Sequence, residues 1–557
     1  MESELVRLCI EAACENRESV EKWRRQRRSL ERLPSHLADA LLRRLIHRRL
    51  LFPSLLEYLF HFFSSFKILR MTNLKELDLS RCMKVTDAGI RHIISISTLE
   101  KLYVSETGLT TNGVTLISSL KNLSLLDLGG LPVTDQALSS LQVLTELQYL
   151  DIWGSEVSNK GAAVLQKFSK LSFLNLSWTN VTKLPNLPSL ECLHMSNCTI
   201  SSLLEGDGGK PPLKKLIFSG AKFENEAKAL MHIETSFLSF LDASNSSLQR
   251  FCFLPNMEAL KHLDLSSSIM GDDLVKHVAC VGANLRNLNL SKTRVSSVGV
   301  GILAGHLPNL EILSLSYTPI DDVAVSYISK MPLLRVIVLS NTNVKGFIHQ
   351  KGAEPDFFLS LKALESLNHL ERLNLEQTSV SDAALKPLSS FQELRDLSLR
   401  SASLTDVSLH YLSSLPKLTN LSIHDAVLSN SGLNLFNPSA TLKKLDLCGC
   451  WLLTEDAILS FCKKYPQTEV RHELVHILPS NPNGSNSPSP SRLTSRTLLV
   501  NQKQGNISIS SSFVDQRLKY NREELLALQY SSFSLAIPLD RGSTTSQLLM
   551  NQSSSMS

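Results

Sequence analysis

The sequence predicts an α/β solenoid, a stack of short strand–turn–helix units with parallel strands on one side and helices on the other. Three observations predict it. The pattern Leu-x-x-Leu-x-Leu recurs sixteen times, starting at Leu74, Leu99, Leu123, Leu147, Leu171, Leu190, Leu213, Leu238, Leu260, Leu285, Leu310, Leu334, Leu370, Leu394, Leu418 and Leu442. Eleven of the fifteen intervals are 24 or 25 residues, a period that only a repeat architecture produces. Of the 557 residues, 43% are hydrophobic but only 6% aromatic, so the core must be aliphatic.

Each unit reads in the same order. The alternating leucines are a half-buried strand, and the residues between them face the other way. The position after the strand holds Cys82, Thr107, Ser155, Thr179, Cys198 and Thr293 among others, always small or modestly polar, as a tight inward turn demands. The cysteines there are therefore packing residues and not ligands. Next come Val85-Thr86-Asp87, Val133-Thr134-Asp135, Val380-Ser381-Asp382 and Leu404-Thr405-Asp406. A hydroxyl residue followed by Asp is a helix start, and apolar residues at helical spacing follow, such as Ile90, Ile93 and Ile94. One such unit cannot bury its apolar side alone, but stacked units bury a continuous core.

Two units are irregular. The one beginning at Leu171 has 19 residues, with Pro185 and Pro188, and is expected to lack its helix. The one beginning at Leu334 has 36, with the excess over residues 345–356 expected as a loop.

The 24–25-residue unit with Cys or Thr and then Val-Thr-Asp resembles the leucine-rich repeat family, in the ribonuclease-inhibitor-like superfamily and its cysteine-containing subclass. The resemblance covers about residues 70–475 and implies a curved horseshoe, strands on the concave face and helices outside. That subclass is common among substrate receptors of ubiquitin ligases.

The domain organisation expected is a helical N-terminal module over 1–69, a solenoid of about 16 repeats over 70–478, and a Ser/Pro-rich disordered tail over 479–557. Leu5, Leu8, Cys9, Ala12 and Ala13 share one helix face, and Leu33-Pro34 opens a second helix with Leu37, Leu41 and Leu45. Leu5, Cys9 and Ala13 resemble the elongin-binding box of cullin-type ligase receptors, and Leu33, Pro34, Leu37 and Leu41 the accompanying cullin-selecting box. A leucine-rich repeat domain after such a module is similar to the zyg-type receptors. The second stretch also looks like a diverged F-box, which would dock a Skp-type adaptor. The same helices would equally serve as a cap over the first repeat. The tail holds four Pro and six Ser in residues 479–497, and a short helix is expected over 521–530.

Charge excludes a broadly basic nucleic-acid binder. The net charge is +5, and residues 15–50 alone carry eleven Lys/Arg against five Asp/Glu, leaving the remainder near neutral. The run Lys22-Trp-Arg24-Arg25-Gln-Arg27-Arg28 reads as a solvated helix face or a nuclear import signal. Ten cysteines form no regular framework, and no signal peptide or bilayer-spanning stretch is read, so cytosol or nucleus is expected, with no membrane partner and no cofactor.

No catalytic constellation stands out. The remote alternative is a zinc peptidase through His472-Glu473-Leu474-Val475-His476, two His one helical turn apart around a Glu base. The segment falls where a terminal strand belongs, which argues against it. The better candidate is the concave face. Its fifth-position Asp residues form an acidic ladder, ordinary for such units but able to hold a basic partner. Its aromatic group Tyr103, Tyr149, Trp153, Phe173 and Trp178, spread over three adjacent units, suits a protein interface. The expected function is a non-enzymatic binding scaffold, in its sharper form the substrate-recognition subunit of a cullin-RING ubiquitin ligase. The alternative is a signalling adaptor without a ligase link.

Overall fold

The computed structural model describes residues 4–13, 15, 19–20, 44, 74–206, 209–349 and 357–476. Leu33, Pro34, Leu37 and Leu41 lie outside the described residues, as do most of the N-terminal module, the tip of the insertion and the whole tail.

Sixteen strands match the sixteen leucine patterns, and a seventeenth, Glu469–His472, follows them. All seventeen pair in parallel, each with the strand of the next unit, while Val475–His476 turns back antiparallel on the last. The register is set by the leucines. Leu102, Leu126, Leu150 and Leu174 stand opposite one another in successive strands, and all are fully buried. A slip of one residue would turn the whole row to solvent.

The turn after each strand has a regular conformation that the sequence does not announce. The eighth residue of fifteen units has a left-handed backbone, and in eleven of them it is not glycine: Arg81, Trp178, Lys292 and Tyr317 are examples. That conformation costs about 1 kcal/mol for an ordinary residue. It is held because the N–H of the turn residue donates to a carbonyl of the next unit, as Arg81 does to Ser105 at 2.8 Å and Lys292 to Ser316 at 2.7 Å. The ninth residue points inward, as expected, except Ala402, which is exposed, and in one unit it is Leu131 and not a small residue. The hydroxyls of Thr107, Thr293, Thr318 and Thr378 donate to the carbonyl three residues back at 2.6–2.8 Å. Cys82, Cys198 and Cys450 take the same buried position, with the Cys198 thiol 3.1 Å from the Leu176 carbonyl.

The Thr-Asp pair does more than start a helix. Thr134 caps its own helix by accepting from the Ala137 N–H, whereas Asp135 reaches into the next unit. Its carboxylate accepts from the N–H of Ser158 at 2.7 Å and its hydroxyl at 2.6 Å. Asp87 with Thr110, Asp272 with Ser296, Asp382 with Thr405 and Asp406 with Ser429 repeat the clasp. Four of these clasps need a glycine beside them. A β-carbon at Gly113, Gly161, Gly299 or Gly432 would overlap the carboxylate of Asp87, Asp135, Asp272 or Asp406.

The 19-residue unit has no helix, as expected, and runs extended through Lys183–Pro185. The unit after it also has none, which the sequence reading missed. Its outer segment Ser202–Glu205 pairs with Lys183–Pro185 instead, burying Leu203 and Leu204. The insertion corrects the expectation of a plain loop. It is a hairpin of Phe347–His349 against Phe357–Leu359.

Candidate protein-binding face

On each strand the fourth and sixth residues of the unit are buried, save the partly buried Leu77 of the first, so the third, fifth and seventh look out from the open face of the sheet, the side read as concave. Parallel strands lie about 4.8 Å apart and alternate residues about 6.6 Å apart, so these positions form a regular grid.

The fifth-position acids are first of all structural. The N–H of the seventh residue is accepted by the fifth-position side chain, as in Gly129 to Asp127 at 3.0 Å, Trp153 to Asp151 at 3.1 Å and Ser266 to Asp264 at 2.9 Å. Asn175 does the same for Ser177 at 3.0 Å, so a carboxamide serves as well as a carboxylate. The second oxygen is used sideways, by the Ser105 hydroxyl on Asp127 at 2.8 Å and by the Asn175 amide on Asp151 at 3.0 Å. Burial raises the Asp127 carboxyl and pushes the Asp151 carboxyl up to about 6, against the pull of these hydrogen bonds.

A carboxyl that holds its proton more tightly when folded stabilises the fold least when ionised. Stability is therefore expected to fall as pH rises from the ordinary value of 3.8 towards about 6 on account of Asp151. Asp151→Asn should remove that slope, since the amide oxygen still accepts from Trp153, while the bond from the Asn175 amide is lost at every pH. Melting temperatures of both proteins across that range test this, and parallel profiles would refute it.

The aromatic group divides. Tyr149 and Phe173 are opposite one another at the third position of adjacent strands and stack with centroids 3.9 Å apart and planes at 4°. His194 meets Phe173 edge-on at 5.0 Å, and burial lowers its imidazole to about 4, so it is neutral at physiological pH. Its ring nitrogen is 3.4 Å from the Cys192 thiol, which burial shifts upward, away from thiolate character. Trp153 is half-buried over Gly129 and Gly130, where a β-carbon on Gly129 would overlap the indole.

Two members fall away. Tyr103 does not adjoin the others, because the strand Leu125–Asp127 separates it from Tyr149, so the three units are not all adjacent. Trp178 is off the sheet, in the left-handed turn with φ 61°, and is 64% exposed. Sequence reading also missed a second aromatic group, in which Lys215 lies over Phe240 at 4.7 Å and His262 neighbours it at 5.5 Å. Alignment of the third positions would have found it.

At the N-terminus, Leu5, Cys9 and Ala13 share the helix Glu4–Ala13, on which Cys9 is exposed and Ala13 half-buried. Glu11 on the same helix pairs with Arg44 at 2.7 Å. At the other end, the peptidase pattern is broken by the backbone. His472 ends one strand of a hairpin and His476 the other, with His472 opposite Val475, so no helix brings the two His to one face. The buried His472 ring accepts from the Leu474 N–H at 3.1 Å through Nδ1 and faces the Cys450 carbonyl at 3.4 Å through Nε2. Among the described residues no group of His, Cys, Asp or Glu is placed to hold a metal, and no helix is long and apolar enough to cross a membrane.

The Leucine Rich repeat family pattern matches residues 70–93 and 306–329, two of the units of this ladder. The chain is a leucine-rich repeat solenoid. No curated protein matches it in sequence. Among solved structures, the solenoid is similar to an internalin from Listeria monocytogenes, at 18% identity over 70% of this chain and 95% of that one, with a TM-score of 0.37. A leucine-rich repeat protein of Leptospira interrogans is 20% identical over 73% and 97% of the two chains, with a TM-score of 0.44. The mouse RP105/MD-1 complex gives 20% identity over 68% and 71%, with a TM-score of 0.45.

Proposed function

We propose that this leucine-rich repeat protein is a non-enzymatic protein-binding scaffold, and specifically the substrate-recognition subunit of a cullin-RING ubiquitin ligase in the cytoplasm or nucleus. The observation that carries the binding role is the Tyr149–Phe173 stack on a rigid, open sheet face, since aromatic side chains on a preformed surface are the usual anchors of protein interfaces. The ligase role rests on the resemblance of Leu5, Cys9 and Ala13 to the elongin-binding box and of Leu33, Pro34, Leu37 and Leu41 to the cullin box. Support comes from the helix Glu4–Ala13, which leaves Cys9 exposed. A second reading, a capped scaffold with no ligase link, is favoured by the Glu11–Arg44 ion pair, which ties that helix to a distant part of the same module.

Affinity purification separates the two readings. Wild-type chain should recover an elongin- or Skp-type adaptor with a cullin, and Leu5→Ala/Cys9→Arg should lose it at least about tenfold, because a buried helix anchor is worth 2 kcal/mol or more. Recovery of no such partner by the wild type, or equal recovery by the variant, would remove the ligase role and leave the scaffold.

A further inference from the structure

We propose that the Tyr149–Phe173 stack on the open face of the sheet seats an arginine or lysine side chain of a protein partner, with the carboxylates of Asp127 and Asp151 as its countercharge. This rests on the open face being the surface that binds.

The slot follows from the register. Phe173 covers one face of the Tyr149 ring. The other face looks along the sheet over Leu125, which stands opposite Tyr149 and is a shorter side chain. Asp127 shares the Leu125 strand, and Asp151 shares the Tyr149 strand and lies opposite Asp127. A ring face and two carboxylates therefore frame the space above Leu125. A cation over an aromatic face next to an acid is a favourable arrangement, more so where water is partly excluded.

Charge complementarity identifies the occupant. Elsewhere the solenoid answers its own charges from one unit to the next. Lys75 pairs with Glu100 at 2.7 Å, Lys214 with Glu191 at 2.9 Å and Arg286 with Glu311 at 2.8 Å. Lys101, on the strand beside Asp127, is taken by Glu76 at 3.2 Å. Among the described residues no cation pairs with Asp127 or Asp151, although both are half-buried on the grid and the Asp127 charge adds to the burial that raises the Asp151 carboxyl. The second aromatic group shows the chain using the same chemistry internally, since its own Lys215 lies over Phe240 at 4.7 Å. At Tyr149 the aromatic and the acids are present and the cation is not.

The test uses the full chain at pH 7.5 and a short labelled peptide with one arginine between leucines, compared with its citrulline counterpart by fluorescence anisotropy. Wild type should prefer the arginine peptide by about tenfold or more. Asp127→Asn/Asp151→Asn should abolish the preference while folding normally, because Asn175 already makes the same turn hydrogen bond. Leu125→Tyr, which lengthens the stack and fills the slot, should abolish it too. Equal binding of the two peptides, or a preference kept by both variants, overturns the proposal. Phe173→Ala separates it from the binding role itself. If Phe173→Ala loses the cellular partner while Asp127→Asn/Asp151→Asn keeps it, only the cation slot fails. If Phe173→Ala keeps it, the open face is not the binding surface and both fail.

Discussion

Leu150→Ala is expected to cost about 2–5 kcal/mol and to split the solenoid into two separately melting parts. Leu150 is completely buried between Leu126 and Leu174 in the strand ladder, so truncation loses its burial and leaves a cavity that in-register neighbours cannot close. A globular domain would respond to such a loss as a whole. A repeat stack responds locally, because each unit touches only those before and after it, and the stability of the array is a sum of unit and interface contributions. Weakening the unit at 147–170 therefore uncouples the units on its two sides. Urea unfolding followed by circular dichroism should change from a steeper transition to a broader or biphasic one, with new proteolytic cleavage near the site. An unchanged midpoint and slope would show that the units do not depend on one another in this way.

Gly161→Ala is expected to destabilise by about 2–3 kcal/mol, an unusual penalty for a glycine in a helix, where alanine ordinarily stabilises. The new β-carbon would overlap the Asp135 carboxylate and sit 2.9 Å from the Val157 side chain. Relief requires Asp135 to move, which breaks both bonds to Ser158 and strands its N–H. Gly305→Ala is the matched control, since a β-carbon there meets nothing within 4 Å, and it should stay within about 0.5 kcal/mol of wild type. If the clasp is the cause, Asp135→Ala and Gly161→Ala should combine to less than the sum of their separate effects. The hydrogen bonds from Ser158 and Gly161 outweigh burial and hold the Asp135 carboxyl below its ordinary range, so the clasp's contribution is present above 3.8 and is lost as pH falls through the lower, folded value. Additive thermal shifts would refute the clasp.

The unit period, the strand at each leucine pattern, the buried small residue after it and the missing helix of the 19-residue unit were all legible in the chain. They depend on local spacing, and a repeat states each rule sixteen times. The peptidase pattern was correctly outweighed by its position after the last helix, where the backbone forms a hairpin. The left-handed eighth residue was not legible, because nine different non-glycine residue types occupy it in eleven units and what holds it is a carbonyl about 24 residues away. For the same reason the Asp of Thr-Asp read only as a helix start, when its carboxylate serves the next unit.

The aromatic residues make the same point. Composition and position brought five of them forward, but strand pairing sorted them: it stacked Tyr149 on Phe173, set Trp153 on Gly129 and Gly130, and left Tyr103 two strands away from Tyr149. A linear pattern states which side of its own unit a residue faces. Which neighbour it meets is decided between units, by register and by the room that neighbouring side chains leave, and here only the folded stack supplies both.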